Sequence, residues 1–267
     1  MRKSVGIVGC GAIGQTLLRE ADAGKLPVSV TGVTSRTESR ARSFLSTLRS
    51  PPPYLSLKDL IDCADLVVET AGGHVVPQLA SEAFGAGKDL MVISVGALLE
   101  HPDIIDLSRS TGCRLFAPSG AIAGLDGIKS ACRGRVDRVV MTSRKPPQAW
   151  EGAPFLQERG ISLEGLDREY EIFAGTAREA CRGFPANLNV LAAVSLSGIG
   201  PDRTQVRILA VPGLERNCHD LEVEGEFGSL TVHIENIPSE NPRTGRLTAL
   251  SIIRSLENAV DTVHVGT

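Results

Sequence analysis

Short runs of β-branched residues alternate with amphipathic stretches over residues 1–118. Apolar runs bounded by turn residues are typical of buried strands, and apolar residues spaced three and four apart are typical of helices. The predicted strands cover residues 5–8, 28–33, 65–70, 89–95 and 114–117, and the predicted helices cover residues 15–21, 38–48, 57–61, 76–86 and 104–111. Because strands separated by helices pair in parallel through right-handed crossovers, we expect a doubly wound parallel sheet that ends near Pro118.

The pattern changes after Pro118. A strand at 138–143 is followed by a polar stretch to about Ala174 and then by a helix at 186–196. Three further strands are predicted at 204–211, 220–226 and 229–234, the last two joined as an antiparallel hairpin, before a closing helix at 247–259. The chain is therefore predicted to be an α/β protein with a first domain at 1–118 and a second, α+β domain at 119–246. The closing helix is expected to pack back on the first domain.

The turn after the first predicted strand has the pattern G-x-G-x-x-G, in which Gly9, Gly11 and Gly14 have separate tasks. Gly9 permits the tight turn, Gly11 allows close approach of a pyrophosphate, and Gly14 allows the helix to pack against the strand. The start of the following helix offers free N–H groups to phosphates. The first domain is therefore predicted to be a Rossmann dinucleotide-binding domain. Its proposed contacts are Gly9, Gly11, Ala12, Ile13 and Gly14.

The tip of the second predicted strand carries Ser35 and Arg36 instead of a carboxylate. A carboxylate there selects NAD by binding the ribose 2′-hydroxyl, whereas a hydroxyl and a guanidinium suit the 2′-phosphate of NADP. The cofactor is therefore expected to be NAD or NADP. A solvated loop role for Arg36 is the alternative. Loops at 71–73, 94–97 and 118–124 are rich in small residues and are expected to line the same crevice, with Ala71 near the cofactor.

Composition narrows the class of protein. Of the 267 residues, 42% are hydrophobic and 22% charged, which is enough for a globular core without metals or disulfides. The formal net charge of -3 argues against nucleic-acid binding, and no apolar run approaches membrane-spanning length. The beginning of the chain has no signal-peptide pattern. The 6 cysteines include no C-x-x-C pair, so we expect thiols in the cytoplasm and no metal site.

The candidate acid/base group is His219, one of 5 histidines. An enzyme that oxidises an alcohol or amine with a nicotinamide cofactor needs a group to manage the substrate proton, and histidine is the usual one. His219 is expected just ahead of a strand, where Asp220 could orient it, although adjacent strand residues face opposite ways. A hydrogen-bonded loop histidine is the alternative interpretation.

The chain resembles the L-aspartate dehydrogenase family over nearly its whole length. The stretches that carry the resemblance are residues 9–14, 118–127, 184–190, 217–219 and 241–245. The resemblance implies that His219 is the active-site acid/base and that Ala123 and Asn189 contact the cofactor. It also implies a Rossmann domain joined to a substrate domain that usually forms a homodimer. The enzymes of that family interconvert L-aspartate and iminoaspartate with NAD(P), and in that family iminoaspartate can feed NAD biosynthesis.

A dicarboxylate such as L-aspartate, or oxaloacetate with ammonia in reverse, needs cationic or hydroxyl partners. The candidates are Arg243, Thr244 and Arg246 in the loop predicted before the closing helix, joined by Lys145 or Arg144, with a solvated surface cation as the alternative. Asn187, near the start of a predicted helix, is a further candidate and could instead cap that helix. Two other functions remain open. One is an imine reductase like dihydrodipicolinate reductase, whose paired-histidine motif is missing here. The other is a non-catalytic NAD(P)-sensing protein, which would need neither His219 nor a dicarboxylate site.

Overall fold

The computed structural model describes residues 3–185, 189–237, 246–263 and 265–266. It divides into two compact units. The first consists of Met1–Pro118 with Ala249–His264, and the second of Ser119–Thr248 with Val265–Thr267. Among the described residues, no helix is long and apolar enough to cross a membrane.

The first unit is built on a parallel sheet of five strands in the order β2-β1-β3-β4-β5. Its strands are β1 (Ser4–Val8), β2 (Ser29–Thr34), β3 (Leu66–Glu69), β4 (Asp89–Val92) and β5 (Leu115–Phe116). Its helices are α1 (Ala12–Asp22), α2 (Glu38–Leu45), α3 (Leu57–Cys63), α4 (Val76–Gly85), α5 (Ala97–Glu100) and α6 (Asp103–Thr111). The predicted Rossmann-type doubly wound sheet is confirmed, and the order of the strands reverses between β1 and β3.

The central strands of this sheet are apolar on both faces because helices cover both. Ile7 of β1 and Val68 of β3 share a buried cluster with Leu17 of α1. Ile252 and Leu256 belong to the same cluster. They lie on the closing helix, Arg246–Asn258, whose residues from Ala249 onward belong to this unit. Its apolar face therefore completes the core of the first unit.

The second unit contains a mixed sheet of five strands in the order β10-β9-β6-β8-β7. Its strands are β6 (Val136–Lys145), β7 (Tyr170–Thr176), β8 (Gln205–Ala210), β9 (Asn217–Gly225) and β10 (Gly228–Asn236). Its helices are α7 (Leu125–Ala131), α8 (Pro154–Arg159), α9 (Ala177–Gly183) and α10 (Asn189–Ser197). The closing helix, α11 (Arg246–Asn258), belongs to the first unit from Ala249 onward. The predicted hairpin is confirmed as the antiparallel pair of β9 and β10, and β6 pairs in parallel with β8.

Alternation along β6 and β9 gives this sheet one buried and one polar face. Met141 of β6 and Leu221 of β9 are fully buried, while Arg138 bonds Glu222 and Glu224 on the other face. Residues two apart on a strand share a face, so the buried face also carries Ser143 and Lys145. An aromatic cluster of Trp150, Phe155, Phe173 and Phe184 packs edge to face in the same unit.

Two sequence-based expectations for the second part differ from the structure in detail. The stretch described only as polar, to about Ala174, contains α8 and the beginning of β7. The strand expected to end at Ser143 continues to Lys145. β7 lacks a strand signal in the sequence because its residues do not alternate regularly between apolar and polar, and its pairing with β8 is irregular between Glu171 and Phe173.

Candidate active site

The glycine turn between β1 and α1 has a backbone that only glycine adopts easily. Gly9 has φ +111°, and a Cβ there would lie 2.7 Å from the carbonyl carbon of Thr70. A Cβ on Gly14 would collide with the carbonyl oxygen of Gly9, whereas one on Gly11 would meet open space. The first and third glycines are therefore required by packing, and the second leaves the backbone accessible to a ligand.

The beginning of α1 offers hydrogen-bond donors. Gly11 is its N-cap and makes no side-chain cap, and the first turn contains no acidic residue. The N–H groups of Ala12, Ile13 and Gly14 have no partner within the helix. A helix of this length also places partial positive charge at its start, so this turn suits a phosphate group.

A cavity of about 660 Å³ lies beside this turn in the first unit. It is lined by Gly9 and Gly11, by Ser35, Arg36 and Arg40, and by Ala71. None of the described residues that line it is Asp or Glu. Cofactor pockets usually have volumes in this range. Two guanidinium groups without an opposing carboxylate fit the phosphate-bearing half of a dinucleotide.

The sequence predicted Gly9, Gly11, Ser35, Arg36 and Ala71 of this cavity as cofactor contacts, and it missed Arg40. Arg40 is in the first turn of α2, four residues after Arg36, and the two guanidinium groups line the same cavity. The usable signal was a second basic residue close to the end of the second predicted strand.

The second unit holds the candidate acid/base residue. His219 is the third residue of β9 and only 3% exposed, so the expectation that it precedes a strand is wrong. It lies opposite Ser143 of β6, and its Nδ1 is 3.0 Å from Oγ of Ser143. Asp220 does not orient it, because the next residue on a strand faces the other side of the sheet.

Lys145 is the second unusual residue on this face. It is 2% exposed, and its Nζ lies 4.9 Å from the centre of the Trp150 ring. The face of the Trp150 ring attracts the Lys145 ammonium group and offsets part of the free-energy cost of burying it. We call Ser143, Lys145, Trp150 and His219 the His219 cluster.

The electrostatics of the cluster keep the imidazole neutral. Burial, followed by the nearby Lys145 ammonium, lowers the pKa of His219 from 6.5 to about 3. A neutral imidazole has one donor and one acceptor nitrogen. If Nδ1 donates to the Ser143 hydroxyl, Nε2 is left with a lone pair that can accept a proton.

The opposite face of the same strands carries an ion-pair network. Asp220 accepts hydrogen bonds from Arg144 and from Nδ1 of His233, the latter at 2.5 Å. This hydrogen bond raises the pKa of His233, with a further contribution from Glu235. Arg144 therefore has an acidic partner and lies on the face away from His219.

Of the remaining predicted site residues, some are described by the structure and others lie outside the described ranges. Ala123 is exposed in the loop before α7, and Asn189 is the first residue of α10. These segments meet, because a Cβ on Gly120 would lie 3.6 Å from Val190. Asn187, Arg243 and Thr244 lie outside the described residues. Within the described ranges, no group of His, Cys, Asp and Glu side chains is arranged to hold a metal ion.

Two family models together match most of the chain. Residues 9–118 match the NAD-binding domain of homoserine dehydrogenase, and residues 126–259 match the C-terminal domain of aspartate dehydrogenase. Among solved structures, the aspartate dehydrogenase of Thermotoga maritima superposes with a TM-score of 0.73 at 23% identity and covers 100% of both chains. A homoserine dehydrogenase from Thiobacillus denitrificans gives 0.60 at 13% identity and covers 99% of this chain and 76% of its own. These two likenesses show the fold.

Relatives of higher identity show the family. An L-aspartate dehydrogenase of Methanosarcina mazei is 43% identical over 98% of this chain and 99% of its own length. L-aspartate dehydrogenase 3 of Bordetella bronchiseptica is also 43% identical, over 98% of this chain and 97% of its own. The NAD-binding domain makes the chain an NAD(P)-dependent oxidoreductase. On this full-length similarity, the chain belongs to the L-aspartate dehydrogenase family.

Proposed function

We propose that this protein interconverts L-aspartate and iminoaspartate with NAD or NADP. Water then converts the imine into oxaloacetate and ammonia. The observation that carries the proposal is a neutral imidazole and a buried ammonium group on one face of the second sheet, at His219 and Lys145. An amino-acid substrate needs a base for its ammonium group and a cation for a carboxylate, and the cluster provides both.

The first unit holds the dinucleotide in this proposal. The N–H groups of Ala12, Ile13 and Gly14 bind the pyrophosphate, and Gly11 leaves room for it. Ser35 and Arg36, with Arg40, bind the ribose of the adenosine half and its 2′-phosphate in NADP. Bound NAD(P) supplies the hydride acceptor for the substrate Cα. Ala71, Ala123 and Asn189 are proposed as further cofactor contacts.

His219 removes the proton from the substrate ammonium group, because the amine needs a free lone pair before Cα can lose a hydride. Nε2 accepts that proton while Nδ1 donates to Ser143, which holds the ring. After that proton has passed to solvent, the same nitrogen accepts a proton from water as the water attacks the imine carbon.

Substrate binding makes His219 a stronger base. Its pKa is about 3 because the site is buried and Lys145 lies nearby. A carboxylate that pairs with Lys145 cancels the repulsion between this ammonium and a protonated imidazole, and its own charge favours the imidazolium. Proton uptake by His219 is thereby coupled to a bound dianion.

Additional substrate contacts are assigned to Arg243, Thr244 and Asn187, which the resemblance places in the same family motifs. Arg144 is a weaker candidate, because it already bonds Asp220. We also propose a homodimer in the cytoplasm whose product can feed NAD biosynthesis, with light scattering after gel filtration as the test of the dimer.

The deciding experiment is an assay of purified protein with L-aspartate and NAD or NADP, and with oxaloacetate, ammonia and NAD(P)H in reverse. We expect turnover in both directions, with oxidation favoured at alkaline pH where more substrate amine is neutral. Inactivity in both directions, in protein that binds dinucleotide, would support the non-catalytic sensor. Reduction of a cyclic imine without any aspartate turnover would support the dihydrodipicolinate reductase-like alternative.

A further inference from the structure

Glu69 is the last residue of β3, the central strand of the first sheet, and its side chain has no exposure to solvent. Its Oε1 accepts hydrogen bonds from the backbone N–H groups of Ala71 and Gly72, both at 2.7 Å, and from the hydroxyl of Ser94 at 3.1 Å. Its Oε2 accepts from the N–H groups of Ile93 at 3.2 Å and of Ser94 at 2.9 Å. Five donors thus converge on one side chain.

These donors belong to two different loops. Ala71 and Gly72 follow β3, whereas Ile93 and Ser94 follow β4. Among the described residues, the partners of Glu69 are N–H groups and one hydroxyl, without a cation. A buried carboxylate is tolerated when its oxygens are saturated in this way. The charge therefore ties both loops to the end of one strand.

The loop after β3 forms the wall behind the glycine turn. The hydroxyl of Thr70 donates to the carbonyl oxygen of Gly9 at 2.8 Å, and Thr70 and Ala71 line the cavity of the first unit. Gly72 has φ +111°, so the loop depends on a conformation that few other residues adopt. A displacement of Ala71 would move the surface against which Gly9 packs.

We propose that Glu69 is a positioning residue that fixes the loops after β3 and β4 and so holds the cavity in its dinucleotide-binding shape. The proposal rests on the dinucleotide part of the proposed function. It concerns binding alone, so its failure is separate from a failure of activity with aspartate.

The test is Glu69→Gln in the full chain, with Kd for NAD and NADP measured by calorimetry below the melting temperature. An amide has only one acceptor oxygen. Whichever way it faces, either Ala71 and Gly72 or Ile93 and Ser94 lose their acceptor. We expect both Kd values to rise about tenfold or more, since unpaired buried donors are strongly unfavourable.

Asp65→Asn is the matched control. Asp65 precedes the amino end of the same strand, and its carboxylate accepts from the N–H group and the hydroxyl of Ser4. It therefore ties segments together at the edge of the sheet away from the cavity. We expect a lower melting temperature with both Kd values within about twofold of wild type.

Two results would overturn the proposal. One is a folded Glu69→Gln protein that binds NAD and NADP with wild-type affinity. The other is an Asp65→Asn protein that loses as much affinity for NAD and NADP as Glu69→Gln, because Glu69 would then contribute only to the stability of the fold. If Glu69→Gln does not fold, Ser94→Ala removes one donor and should weaken binding roughly two- to fivefold. Unchanged affinity in Ser94→Ala would then decide against the proposal.

Discussion

Ser143 and His219 lie opposite each other on antiparallel strands, with Oγ of the serine 3.0 Å from Nδ1 of the histidine. Both side chains are buried, at 1% and 3% exposure. Among the described residues, the hydrogen-bond partner of the imidazole is this serine hydroxyl.

Ser143→Ala should lower kcat with aspartate by roughly two- to tenfold, because the ring loses a hydrogen bond whose net contribution is modest. Ser195→Ala is the control. Its hydroxyl is also buried in the second unit, but it donates to the carbonyl of Ala192 within α10. A Ser143→Ala enzyme with wild-type kcat would show that the hydrogen bond does not orient the acid/base.

His219→Ala should lower kcat by roughly 10²–10⁴-fold, the usual contribution of a general acid/base. The dinucleotide Kd should hardly change, because the pyrophosphate is assigned to the glycine turn of the first unit. Some loss of melting temperature is expected as well, since the ring is buried in β9. A folded variant that retains more than about a tenth of wild-type kcat would contradict the role.

Lys145→Met should raise KM for L-aspartate by roughly 30-fold or more, because a buried charge pair with the substrate carboxylate is lost. Methionine keeps the apolar packing of the lysine stem, so KM is measured together with the melting temperature of the same preparation. Lys129→Met, at an exposed position in α7, is the control. A normal KM combined with a lower melting temperature would assign Lys145 to stability alone.

Arg36→Glu should weaken binding of NADP far more than binding of NAD, because the new carboxylate repels the 2′-phosphate. Such a like-charge contact costs on the order of several kcal/mol. Arg49→Glu makes the same charge change at an exposed residue outside the cavity lining. If Arg36→Glu changed the Kd for NADP and the Kd for NAD by the same factor, Arg36 would not be a contact of the 2′-phosphate.

Stability should fall as the solution becomes acidic, in part through His219. The folded-state pKa is about 3, below the usual 6.5, so the unfolded chain binds more protons between these values. The free energy of unfolding is therefore lost as pH falls below 6.5, by at most about 1.4 kcal/mol per pH unit from this residue. Urea unfolding of the wild type and of His219→Gln should give a shallower pH dependence for the variant. Identical slopes would mean that the imidazole titrates normally in the folded protein.

The strand-and-helix rhythm of the first unit was predictable from sequence because local patterns carry it. The glycines around Gly9 indicate a turn, and Ser56 is the N-cap of α3, with its side-chain oxygen accepting a hydrogen bond from the N–H group of Asp59. β7 was missed because its residues show no regular alternation of apolar and polar side chains, and its strand form depends on pairing with β8. Glu171, for example, bonds Arg207 across the two strands. That pairing forms only in the tertiary structure, so local sequence patterns do not reveal it.

The sequence alone predicted the glycine turn from the spacing of its glycines, and the resemblance of its motifs to a known family made His219 the candidate base. It could not determine what surrounds His219. Ser143 and Lys145 are more than 70 residues away in the chain, and the register of β6 on β9 places Ser143 opposite it. Burial of that face, together with the nearby Lys145 ammonium group, lowers the pKa of His219 and keeps its imidazole neutral. The chemistry of the cluster depends on strand register and desolvation, which only the folded sheet decides.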